Sequence, residues 1–142
     1  MKKLLLLITI CLAFGCQKNN PQEQLKNING YWEISEVEAS GKLVKKYGFN
    51  SAVDFFEIEE NEGIRKKLQP QLNGSYIANN SEEKVTAKIE NDSLRLYYDT
   101  GFDQWKETVL KADETELVLK NQYDKIFYYH KFTGYLDHEK ME

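Results

Sequence analysis

The sequence predicts an all-β protein, an antiparallel up-and-down barrel of about eight to ten short strands, with a sandwich as the competing arrangement. Three observations carry this. Turn-forming pairs recur at short intervals between runs rich in Val, Ile, Tyr and Phe. Aromatic residues make up 13% of the chain, with nine Tyr, against two Pro, a composition that suits pleated, half-buried strands. No segment holds a helical period beyond two turns, and no internal repeat is visible. Closure into a barrel is favoured over a sandwich because it removes exposed strand edges, which a protein without disulfides has reason to avoid.

The strands follow in order. Gly30-Tyr31-Trp32-Glu33-Ile34 opens the first, over 30–39, and Ser40-Gly41 turns it. Leu43-Val44 forms a short strand end, and 47–50 a loop. The run 52–59, with Val53, Phe55, Phe56 and Ile58, is a strand that Asn61-Glu62-Gly63 folds into a hairpin. Over 64–68, Ile64, Lys66 and Leu68 alternate with Arg65 and Lys67, and Pro70, which has no N–H for a ladder, ends or edges that strand. Asn73-Gly74 turns the chain into 75–78, and 79–82 reads as a polar loop. Val85, Ala87 and Ile89 then alternate with Lys84, Thr86, Lys88 and Glu90, the pattern of an antiparallel strand with one wet face. Turns at Asn91-Asp92, Thr100-Gly101, Ala112-Asp113-Glu114 and Asn121-Gln122 separate strands over 93–98, 104–111, 115–120 and 125–132. Gly134 ends the last one. The barrel domain is thus expected over 28–133, with 134–142 as a frayed tail.

The N-terminus has a different character. Lys2 and Lys3 precede an apolar run broken only by Thr9, and Ala13-Phe14-Gly15-Cys16 follows. This is the anatomy of a secretory signal peptide, too short to cross a bilayer as a stable helix. With Cys directly after Gly15, the segment resembles a bacterial lipobox of the looser kind found in Bacteroidota lipoproteins, with Ala13 where Leu is usual and Phe14 where a small residue is usual. The resemblance implies cleavage after residue 15 and lipidation of Cys16 through its thiol. A single acyl chain binds a membrane only marginally, and two or three hold firmly. Residues 16–27, polar and containing Pro21, are then a lipidated N-terminus and flexible tether. Cys11 leaves with residues 1–15, so the mature chain holds no disulfide. Gln17 is not the Asp that retains lipoproteins at the inner membrane, and 17–20 holds no acidic residue. The expected place is the cell envelope, at the outer membrane facing the periplasm.

Gly30-x-Trp32 at the entry to the first strand resembles the lipocalin-like (calycin) barrels, and the stretch 28–133 resembles the small lipocalin-like domain lipoproteins of Bacteroidota. The resemblance implies that Gly30 lets the chain bend in, that Trp32 plugs one end of the barrel, and that a basic residue near the last strand packs over it. Lys131 is the candidate, with Lys125 behind it.

Other residues are weighed one by one. Arg65 and Arg95 are the only arginines, and either could clamp a carboxylate head group inside a barrel or form a surface salt bridge. Tyr97-Tyr98 and Tyr128-Tyr129 each place one ring inward and one outward, so Tyr97 and Tyr128 become candidates for ligand or partner contact. His130 shares a face with Ile126, Tyr128 and Phe132 and reads either as a ligand-binding residue or as a wall histidine bonded to a tyrosine. His138 lies in the tail. Glu57, Glu59, Glu60 and Glu62 read as a solvated strand end. Two histidines and no usable cysteine offer no metal-ligand spacing, and no nucleophile elbow, phosphate loop or paired-acid motif appears. No cofactor, no catalytic residue and no enzymatic activity are therefore expected. The net charge is −4 and becomes more negative by two when Lys2 and Lys3 are removed, which argues against nucleic acid as a partner.

Two functions remain. In the first, a lipid-anchored barrel holds a small apolar or amphipathic molecule in its lumen. In the second, the barrel is filled by its own side chains, and an envelope protein or a glycan binds its outer face. A barrel of about eight strands is just wide enough for either.

Overall fold

The computed structural model describes residues 20–136. The signal segment, Cys16 and His138 lie outside the described residues. The protein is an antiparallel closed barrel of eight strands with one extra strand and a short helix across one end. The strands are β1 (Gly30–Ala39), β2 (Lys42–Lys46), β3 (Val53–Glu59), β4 (Glu62–Pro70), β5 (Tyr76–Glu90), β6 (Ser93–Asp99), β7 (Gln104–Ala112), β8 (Glu116–Asn121) and β9 (Lys125–Lys131), preceded by α1 (Pro21–Ile28). Each strand from β3 to β9 pairs with the next, and β1 closes the ring against β9 along most of its length. On its other side β1 meets β3 only over Gly30–Trp32. Further along, the short β2 takes the place beside it. Bulges at Ile34/Glu36, Lys66/Leu68 and Val109/Lys111 add the local twist that lets a sheet coil shut.

Local chemistry sets most of the turns. Ser40-Gly41 and Asn91-Asp92 both adopt positive φ at two successive residues (53° and 72°, 50° and 60°), the left-handed pair that a two-residue hairpin requires. At the β3–β4 hairpin the left-handed residue is Glu60. Gly63 lies just beyond, where a Cβ would stand 2.0 Å from the Glu57 carbonyl oxygen.

Three expectations need correction. The tether expected over 16–27 is, from Pro21 on, the helix α1. The Asn20 carboxamide oxygen accepts from the N–H groups of Gln22 (3.1 Å) and Glu23 (3.4 Å), and Pro21 suits the first turn. So polar a segment earns its helix from tertiary contacts. Ile28 is fully buried, Gln24 donates to the Leu110 carbonyl and Asn27 to the Ala112 carbonyl. Second, the polar loop expected over 79–82 is part of the continuous β5. Its pairing with β4 runs on either side of a wide bulge, from Leu68↔Ala78 to Lys66↔Glu82, with Asn79 and Ser81 hydrogen-bonded to each other inside it. Third, the tail expected from 134 lies on the barrel as far as Leu136. Tyr135 packs edge-on against Phe132 (5.3 Å) and donates to the Asn50 carbonyl (3.2 Å). The β4 alternation, whose inward face the sequence left open, points the basic residues Arg65 and Lys67 inward. Leu68, past the bulge, joins Val53 and Phe132 in a separate cluster on the outer wall.

The main core fills the barrel at the α1 end. Ile28, Trp32, Phe56, Leu94, Leu96, Val109, Leu117 and Leu119 have essentially no exposed surface. The strand ends farthest from α1, with the connections 40–41, 100–103 and 122–124, form the mouth end of the barrel, and 47–52 and 71–75 lie beside it over the outer wall.

Candidate functional site

The interior is layered from the α1 end upward. Its floor is sealed by Trp32, whose indole N–H donates to the Ile28 carbonyl (2.6 Å) and whose ring lies under the Lys131 ammonium, 4.3 Å from the centroid. That ammonium also donates to the Asn29 carbonyl (2.7 Å), and burial pulls its pKa down. Gly30 (φ 118°) passes so close beneath Lys131 that a Cβ there would stand 2.7 Å from Nζ. The Asn29 carboxamide pairs with both backbone groups of Ile58, at 2.8 Å each, and stitches the helix exit to β3.

Above this apolar floor lies a charged layer. On β3, Asp54, Phe56 and Ile58 face inward; on β4, the residues opposite them are Lys67, Arg65 and Gly63. The Arg65 guanidinium sits 3.3 Å from Asp54, 3.7 Å from Glu83 and 3.7 Å from Glu107, and donates to the Tyr129 hydroxyl (3.3 Å). It also stacks over the rings of Phe56 and Tyr98. Tyr98 donates to Glu107 (2.7 Å), and Lys67 reaches Asp54 (3.1 Å) while keeping more than half of its side chain in solvent. Burial works against the Arg65 charge, but Asp54, Tyr129, Tyr98 and Glu107 outweigh it and hold its pKa well above the ordinary arginine value. Burial raises both Tyr98 and Tyr129, so both hydroxyls keep their protons. Burial also raises Glu83, only partly offset by Arg65, and one of its oxygens is buried without a hydrogen bond among the described residues.

The mouth stands above this layer. Trp105 stacks on Tyr98 (5.2 Å, 14°), and Phe127 lines the wall formed by β9; both rings are half-buried. The rim is unusually apolar for a surface. Leu43, Val44, Phe102 and Tyr123 are exposed on its hairpins, and Phe102 entirely so.

Residues 28–119 match the family model of the lipocalin-like domain. The chain belongs to the lipocalin-like domain family. Among solved structures it is similar to an uncharacterized protein from Bacteroides eggerthii, with 12% identity over 74% of this chain and 99% of that one and a TM-score of 0.46. It is similar also to a lipocalin-like protein from Bacteroides uniformis, with 11% identity over 75% of this chain and 99% of that one and a TM-score of 0.46. Lobster apocrustacyanin A1 shares 11% identity over 85% of this chain and 72% of that one, with a TM-score of 0.44. No curated protein matches the chain. The lipocalin-like barrel is a fold consistent with ligand binding.

Of the ligand-contact candidates read from the sequence, this lipocalin-like barrel brings only Arg65 into the lumen. Tyr97 and Arg95 lie on the outer wall, where Tyr97 donates to Glu90 (2.7 Å) and Arg95 stands 3.9 Å from the same carboxylate. Tyr128 also faces outward and donates to Glu38 (3.1 Å). His130 is bonded to Glu33 (2.9 Å), its direct partner in the β1–β9 ladder, and to no tyrosine. These four do not converge. The residues that do meet at Arg65 (Asp54, Glu83, Tyr98, Glu107 and Tyr129) were missed as a set. A signal existed for two of them: Asp54 and Glu107 occupy the apolar phase of their strands, alternating with Phe56 and with Trp105 and Val109. Glu57, Glu59, Glu60 and Glu62 are exposed. Among the described residues, no group of three or more His, Cys, Asp or Glu side chains could hold a metal ion, and no helix is long and apolar enough to cross a membrane.

Proposed function

We propose that this lipocalin-like protein is anchored in the cell envelope through a lipidated Cys16 and takes up a small apolar or amphipathic molecule at the open mouth of its barrel. The observation that carries the reading is the layering of the interior. Half-buried Trp105 and Phe127 offer apolar walls, and directly beneath them lies a polar layer in which a Glu83 oxygen, 3.7 Å from Arg65, makes no hydrogen bond among the described residues. The layer also constrains the head group. Two cations, Arg65 and Lys67, face three carboxylates, Asp54, Glu83 and Glu107, so Arg65 has no unspent charge with which to clamp a ligand carboxylate. A neutral or cationic head group suits the layer better.

In this reading the membrane lies on the side of the closed end. Helix α1, which begins five residues after Cys16, crosses the closed end, so a lipid on Cys16 holds that end toward the membrane and presents the mouth to the envelope space. The outer membrane, facing the periplasm, is the location this reading favours. A Cys16→Ser chain is expected in the soluble fraction; a mutant that still pellets with membranes and resists high-salt washing overturns the anchor.

The test of the ligand is native mass spectrometry of the protein purified from its own host. A co-purifying small molecule that is lost on Trp105→Ala supports the mouth site. A clean apoprotein mass shifts the reading to the second function, an envelope protein or glycan partner held on the outside. That second reading draws its support from how fully Trp32, Phe56, Tyr98 and the Arg65 cluster fill the lower barrel.

A further inference from the structure

A second concave surface lies outside the lumen, where the segment after β9 folds back over the β4–β5 hairpin. Two contiguous clefts of about 250 Å³ and 520 Å³ share Pro70, Gln71, Leu72 and Tyr135. Their lining is distinctive in what it lacks: none of the residues in either cleft is charged, in a chain of which 30% is Asp, Glu, Lys or Arg. Aromatic faces supply the walls. Tyr135 packs beside Phe49 (5.7 Å, 26°) and edge-on to Phe132, and Tyr76 is held in a parallel stack on Tyr31 (4.3 Å, 9°).

Neutral hydrogen-bonding groups supply the rest. The Gln69 carboxamide and the Ser51 and Thr133 hydroxyls make no hydrogen bond among the described residues. Asn73 spends its carbonyl oxygen on Ser75 and keeps its N–H groups. The groove is also preformed, since backbone bonds close the hairpin turn (Gln71 N–H to Ser75 O, 2.8 Å; Gly74 N–H to Gln71 O, 3.0 Å) and the Tyr135 hydroxyl pins the returning segment to Asn50.

This chemistry selects its ligand. An ion would be desolvated here with no counter-charge to meet it. A purely apolar molecule would cover amides and hydroxyls and leave them unpaired. A molecule with C–H faces for the aromatic rings and hydroxyls at its edges satisfies both. We propose that this outer groove binds an uncharged saccharide, at a site separate from the mouth. The chain's own continuation after Leu136 fits poorly, because Asp137, Glu139, Lys140 and Glu142 would bring charge into an uncharged groove.

The experiment is calorimetric titration of the full chain, in a zwitterionic detergent free of sugar, with cellobiose, maltose and N,N′-diacetylchitobiose, and with glucosamine and glucuronic acid as charged comparators. Saturable binding of at least one neutral disaccharide is expected, weakened at least about tenfold by the exposed substitutions Gln69→Lys and Leu72→Ser with the melting temperature unchanged. No saturable heat from any neutral sugar overturns the proposal, as does equal binding of the charged sugars. Binding that survives Gln69→Lys and Leu72→Ser overturns the location. Binding that appears only after removal of residues 137–142 identifies that segment as the occupant and also overturns it.

Discussion

The two ends of this barrel are built on opposite principles. At the closed end the Trp32 indole, the Asn29 carboxamide and the Lys131 ammonium are each hydrogen-bonded to backbone, and Lys131 also lies over the Trp32 ring. Toward the mouth, the same strands bury charge around Arg65, leave an oxygen of Glu83 without a hydrogen bond among the described residues and expose large apolar side chains on the rim. Complete satisfaction of packing and hydrogen bonds is what stability requires; unspent polar and apolar capacity is what recognition requires. On the function proposed above, one end serves folding and the other serves binding.

That contrast can be broken most sharply at Trp32. Trp32→Ala empties the largest fully buried side chain and should cost about 3–5 kcal/mol in urea unfolding. An unchanged unfolding midpoint would mean the closed end does not hold the fold. Arg65→Met comes next. It leaves three carboxylates without their central cation and should cost about 3 kcal/mol at neutral pH. The sharper readout is its pH dependence: burial already raises the Glu83 pKa, and protonating Glu83 relieves part of the repulsion, so the mutant should recover stability relative to the wild type as pH falls into the acid range, as read by thermal melts.

A smaller effect belongs to Asp113, in the turn between β7 and β8 at the closed end. Its carboxylate accepts from the N–H groups of Thr115 and Glu116, and these bonds hold its pKa down at about 2. A depressed carboxylate stabilises the fold above its unfolded pKa and loses that effect as pH falls through the folded one. Asp113→Ala should therefore cost less than about 1 kcal/mol above about pH 5, with the deficit disappearing between about pH 4 and 2. A deficit that persists in acid would point to the turn geometry rather than to the charge. The smallest effect is expected for Tyr97→Phe on the outer wall, with the melting temperature nearly unchanged and ligand binding at the mouth unaffected. Loss of ligand there would move the site to the outer face.

How much of this was legible depended on range. Most of the turns were legible because they are local chemistry: Ser40-Gly41 and Asn91-Asp92 hold left-handed backbone that few other pairs adopt, and the runs beside them alternate with period two, although β5 runs on through the loop expected over 79–82. The helix was not legible. Pro21–Ile28 carries only two large apolar residues, Leu25 and Ile28, and its remaining anchors are carboxamides that reach carbonyls more than eighty residues away. The inward phase of β4 was hidden for the same reason. Arg65 and Lys67 look like a solvent face until Asp54, Glu83 and Glu107 arrive from three other strands.

By itself, then, the sequence determined a disulfide-independent antiparallel β-chain, its order of hairpins and the glycine and tryptophan at its entry, because alternation and turn propensity act over a few residues. Only the tertiary structure decided that the ring closes between β1 and β9, that α1 seals one end, and that the charged layer gathers at Arg65 while Tyr97, Arg95, Tyr128 and His130 stay outside. Those outcomes depend on which strands become neighbours and in what register. A one-residue slip would turn every side chain to the other face, so side-chain meetings exist only once the whole sheet has closed.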